Sequence, residues 1–95
     1  MNINTQNSHR ATIQTKFIPC TNFRPSRVKA WCQRGSLFMS WEDALNSAEN
    51  HERAARLLIE RFIKEDGGEE KCGWAGDWIM GATVDTTGYV FVTAP

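Results

Sequence analysis

Residues 46–66 read NSAENHERAARLLIERFIKED and are followed by Gly67-Gly68. Ala55, Leu58, Ile59, Phe62 and Ile63 recur at i, i+3, i+4, i+7 and i+8, which puts them on one face of an α-helix. Asn46 or Ser47 supplies the N-cap, with Glu49 three residues after Asn46 in capping-box position. Glu49–Arg53, Glu52–Arg56 and Glu60–Lys64 are i,i+4 pairs in the favourable order, and the two glycines stop the helix. A second start, at Ser40, would cap only a short turn through Glu42 to Leu45.

On either side of this helix the apolar period changes from 3.6 to 2. In residues 11–18, Ile13, Thr15 and Phe17 alternate with Thr12, Gln14 and Lys16, and Pro19 helps end the strand. Residues 20–26 form a loop around Asn22 and Pro25. In residues 27–34, Val28, Ala30 and Cys32 share one face, and Arg27, Lys29, Trp31 and Gln33 share the other. Residues 37–41 give a short third strand. After the helix and a loop over 69–77, residues 78–82 and 89–93 flank a turn at 85–88, where Gly88 suits a left-handed position. The order is β-β-β-α-β-β. It predicts an α+β fold: a four- to five-stranded, mainly antiparallel sheet with one principal helix on one face.

The chain of 95 residues is one domain by length. Residues 1–10 read as a polar, flexible tail and 11–95 as the α+β domain. The tail has no apolar core of a secretory signal, and no run approaches the roughly 18 apolar residues of a membrane span. Net charge is zero but unevenly placed. Residues 1–41 hold six basic residues and no acidic one, whereas residues 42–95 hold five basic and eleven acidic residues. Either the basic part forms a surface for an anionic partner, or the two parts pair within the fold.

Cys20, Cys32 and Cys72 form no C-x-x-C pair and read as free thiols, and with only His9 and His51 available no metal-ligand spacing appears. No nucleophile–base or acid–base pair is marked, so neither an enzyme nor a cofactor is expected. His51 reads as a structural histidine bonding the loop between strands two and three or a neighbouring carbonyl. The acidic series from Glu60 to Asp85 reads as a solvated surface rather than a mimic of nucleic acid, because Arg61, Lys64 and Lys71 interrupt it.

The candidate contacts lie on strand two. Arg27, Lys29, Trp31 and Gln33 combine cations with an indole along one strand face, extended by Lys16 and Arg24. Cations follow phosphates and an indole stacks a base, although a stacking platform ordinarily has more than one aromatic. Trp41 reads as an anchor of helix to sheet. Trp74 and Trp78 flank Gly76-Asp77 and read either as anchors for a partner protein or as a cover for the open end of a small core.

Thr15-Lys16-Phe17, then Thr21-Asn22, Arg24 and residues 26–30 (SRVKA), the Asn50-His51 helix start and residues 88–92 (GYVFV) together resemble a group of small proteins of phages, plasmids and proteobacterial genomes. The resemblance spans most of residues 14–93; this chain departs from it at Pro25, where the group often has glycine. It implies a small cytoplasmic protein of a bacterial host, encoded by mobile DNA. Such a protein is expected to inhibit a host nucleic-acid-targeting defence, of anti-CRISPR or anti-restriction type, by occupying the surface of a host protein or nucleoprotein complex. Direct binding of single-stranded DNA or RNA through the Arg27/Lys29/Trp31 face is the second expectation, and a homo-oligomer that buries its open sheet face is the third.

Overall fold

The computed structural model describes residues 12–72, 74, 76–83 and 87–93. The expected tail, and Asp85 and Thr86 of the expected turn, lie outside the described residues. The elements are β1 (Thr12–Ile18), β2 (Arg27–Trp31), β3 (Ser36–Ser40), α1 (Ser47–Asp66), a 3₁₀ turn (Glu69–Lys71), β4 (Trp78–Ala82) and β5 (Gly88–Thr93). The fold is α+β. All five strands form one antiparallel sheet in the order β3-β2-β1-β5-β4, with α1 packed on one face. The helix therefore connects one edge strand, β3, to the other, β4.

Alternation in each strand sorts side chains between the two faces. Ile13, Val28, Ala30 and Phe91 point towards α1 and meet Ala54, Ala55, Leu58 and Phe62, all buried. Each large apolar side chain so buried contributes about 1.5–3 kcal/mol. The capping box forms as expected: Asn46 Oδ1 accepts from Glu49 N at 2.8 Å, and Glu49 Oε1 accepts from Asn46 N at 3.1 Å. Gly67, at φ 89°, ends the helix, and Gly68 N donates back to Ile63 O at 2.9 Å. Among the described residues only the Glu52–Arg56 pair of the three expected i,i+4 pairs closes as a salt bridge.

Two sequence expectations change. Strand two ends at Trp31, because Cys32 N donates to Gly35 O and closes a turn over residues 32–35. Gly88 is not in a left-handed conformation. It is required because β5 presses against β1 there: a Cβ on Gly88 would overlap the backbone carbonyl of Thr15.

The polar side chains buried under the helix, Thr15, Asn50 and His51, have hydrogen-bond partners. Asn50, fully buried, accepts from Glu42 N and donates through Nδ2 to the carbonyls of Glu42, Leu45 and Asn46, pinning the approach to the helix. His51 Nδ1 lies 2.7 Å from Thr15 Oγ1 on β1, with Trp41 and Tyr89 against its ring. Its partner is thus a strand hydroxyl rather than the β2–β3 loop. Burial lowers its pKa below 6.5, so it is held neutral.

At the other end of α1, Arg34 clamps Asp66 through two bonds of 2.9 and 2.6 Å while its guanidinium lies 4.5 Å over Phe62. Hydrogen bonds from Arg34, and then from Cys72, hold the Asp66 carboxyl below the usual carboxylate range. No helix among the described residues is long and apolar enough to cross a membrane.

Candidate nucleic-acid interface

Among the described residues no element covers the sheet face away from α1. It is read row by row from the strand register. One row crosses Phe38, Lys29, Lys16 and Gly88; the next crosses Ser36, Trp31, Gln14, Val90 and Gly81; Ser40, Arg27 and Ile18 form a third. Thr12, Val92 and Ile79 complete the face. Every charged side chain in these rows is a cation.

Lys16 and Lys29 are direct cross-strand partners. Like charges in that position destabilise a sheet, so the pair is a structural cost that an anion would relieve. Lys29 Nζ lies 5.4 Å from the centre of the Trp31 ring and 5.8 Å from that of Phe38, and the Arg27 guanidinium lies 5.0 Å from Phe38. These cation–π contacts hold both basic groups against the aromatic surface. Arg27 Nε is buried with no hydrogen-bond partner among the described residues. No salt bridge among the described residues involves Lys16, Arg24, Arg27 or Lys29, whereas Arg34 pairs with Glu65 and Asp66. The charge asymmetry therefore resolves into one internal clamp, at Arg34, and one outward basic surface.

Phe38 is the residue that the sequence reading missed. It is 53% exposed and sits diagonally across from Trp31 on the neighbouring strand, so the face carries two aromatics. The signal was its alternation with Leu37 and Met39, which pack against the core. Beside Trp31 and Lys16 lies an open hollow of about 630 Å³, bordered by Gln14, Val90, Thr83 and Thr87. Gly81, on this face of β4, projects no side chain there, and a Cβ built on it would meet nothing within 4 Å.

Of the expected contact residues, Lys16, Arg27, Lys29 and Trp31 come together. Arg24 is exposed in the β1–β2 loop, where Thr21 Oγ1 accepts from both Phe23 N and Arg24 N. Gln33 leaves the face, because the turn over residues 32–35 carries it off the sheet. Trp74 and Trp78 lie on the opposite side of the sheet. Trp74 packs on Phe62 at 5.0 Å and stacks on Trp78 at 6.0 Å, and Trp78 Nε1 donates to Trp74 O. Both pack against the core, as expected of a cover for its open end.

No group of three or more histidine, cysteine, aspartate or glutamate side chains among the described residues is arranged to hold a metal ion. The chain matches no protein family, and no curated protein or solved structure is significantly similar to it.

Proposed function

We propose that this protein binds single-stranded nucleic acid through the open sheet face, without catalysing a reaction, in the cytoplasm of a bacterial host. The observation that carries the reading is the pairing, among the described residues, of two aromatics, Trp31 and Phe38, with three cations and no acidic side chain on one sheet face that no described element covers. Bases stack on the aromatics, which is worth about 1–3 kcal/mol per base. Phosphates take the ammonium groups of Lys16 and Lys29 and the guanidinium of Arg27. A flat sheet accepts unstacked bases, whereas a duplex hides their faces.

The test is fluorescence anisotropy with labelled oligonucleotides of about a dozen nucleotides, single-stranded and duplex, over a salt series. Three phosphate contacts predict a log–log salt slope near −2 for a single strand, from about −0.7 per contact. Arg27→Glu with Lys29→Glu abolishes binding and leaves the circular dichroism spectrum unchanged. Binding that ignores salt, or a preference for duplex, would falsify the reading.

A second reading, inhibition of a host defence complex by occupying a protein surface, is favoured by one observation. Phe23 is 94% exposed on a loop held by hydrogen bonds through Thr21, as an aromatic anchor for a protein partner would be. It predicts nuclease-resistant capture of a host protein that is lost in Phe23→Ala and kept in Lys29→Glu.

A further inference from the structure

The groove between α1 and β4 is a second docking surface, and we propose that it receives an amphipathic, basic helix of a partner protein. Five strands at a spacing of about 4.8 Å place the outer strands about 19 Å apart, whereas one helix is about 10 Å across. A single helix therefore covers about half the sheet. Here α1 packs over β1, β2 and β3 and reaches β5, and the sheet extends beyond it to β4.

The uncovered part is an open groove of about 850 Å³. Its floor is Phe91, Trp78 and Met80, and one wall is the Ala55, Ile59 and Ile63 stripe of α1 at spacings of four residues. An apolar trough beside an existing helix, on the same sheet face, has the shape left for a second helix packed at about 8–10 Å from the first. Met80 is 41% exposed although it shares its sheet face with the core residue Phe91.

The charge of the rim selects the occupant. Among the described residues, Glu52, Glu60, Glu69 and Asp77 border the groove against a single cation, Arg56, which is already bound to Glu52 at 2.7 Å. A helix with an apolar stripe flanked by lysine and arginine satisfies both the floor and the rim. The chain's own residues 1–11 have Met1 and Ile3 as their only large apolar side chains and supply no such stripe. The exposed face of α1 on a second copy carries Glu49, Glu52 and Glu60 beside Arg53 and Arg56, with Arg56 already bound to Glu52, so it offers no excess of positive charge to the acidic rim.

The probe is a display library of helix-favouring peptides of about 18 residues, selected on the intact protein. Peptides enriched with apolar residues at i, i+3 or i+4 and i+7, flanked by lysine or arginine, are expected. They should shift the amide resonances of Ala55, Ile59 and Met80 but not those of Lys29 or Phe38. Affinity should fall at least tenfold in Met80→Lys and in Glu60→Lys with Asp77→Lys. These substitutions lie at exposed positions, so thermal melts should match the native chain, and oligonucleotide binding by the opposite face should be unchanged. No enrichment, enriched peptides that are acidic or lack the stripe, or equal binding to Met80→Lys overturns the proposal. So does a self-association of the protein that Met80→Lys dissolves, since a second copy then fills the groove.

Discussion

On β2, five consecutive residues serve two sides of one sheet. Val28 and Ala30 are fully buried beneath α1, while Arg27, Lys29 and Trp31 face outward on a surface whose charged side chains, among the described residues, are all positive. The helix side is held by apolar contact and by three buried polar side chains, Thr15, Asn50 and His51, which have hydrogen-bond partners. The outward side is held by the backbone ladder and by the cation–π contacts of Arg27 and Lys29, and it carries an unfavourable lysine pair, Lys16 opposite Lys29. A strand period of two allows this separation, because neighbouring residues do not share an environment. Substitutions on the helix side should therefore change stability, and those on the outward side should change binding.

The largest break is expected at Gly88, where the two faces share backbone. Gly88→Ala drives a methyl group into the Thr15 carbonyl and should cost roughly 3 kcal/mol or more, read by urea denaturation, since backbone cannot yield as a side chain does. Asn50→Ala removes the side-chain partner of Glu42 N and of the Leu45 carbonyl, while the Glu42 and Asn46 carbonyls keep bonds from Leu45 N and Asn50 N; it should cost about 2 kcal/mol by the same measurement, with nucleic-acid affinity unchanged.

Phe38→Ala inverts that pattern. It should weaken single-strand binding by about 1–3 kcal/mol while shifting the denaturation midpoint little. His51 sharpens the comparison through pH. Its folded pKa lies below its unfolded value of about 6.5, so the unfolded chain binds the proton more tightly. Its contribution is complete above that value and declines as pH falls from about 6.5 towards the folded pKa, by at most about 1.4 kcal/mol per pH unit. Denaturation of His51→Gln across this range should lack the decline. The smallest effect is Lys16→Thr, which removes the like-charge pair. A gain of a few tenths of a kcal/mol in stability is expected together with weaker oligonucleotide binding and a shallower salt slope. A loss of stability instead would show that Lys16 supports the fold.

The helix was legible in the sequence almost to the residue, because capping chemistry, apolar period and glycine stop are all local. The strands were legible as elements, with ends that shifted where a turn hydrogen bond decided them, as at Cys32 and Gly35. The site was half legible. Arg27, Lys29 and Trp31 lie on one strand, so their alternation is visible in the chain. Phe38 belongs to another strand, and its place beside Trp31 depends on the β2–β3 register. The partner of His51 was likewise out of reach, since Thr15 is 36 residues away.

The sequence by itself determined the α+β class, the element order, the capped helix and an excess of positive charge before residue 42. These follow from short-range periodicity and composition, which need no knowledge of which strands meet. Only the tertiary structure decided the strand order that makes β1 central, the gathering of Lys16, Arg27, Lys29, Trp31 and Phe38 on one face, and the placing of Trp74 and Trp78 on the other side. It also decided that α1 packs on β1, β2, β3 and β5 and that, among the described residues, no second helix covers the β4 side of the sheet. The reason is geometric: pairing partners and the width left for a single helix are set by contacts between residues far apart in the chain, and no local pattern records them.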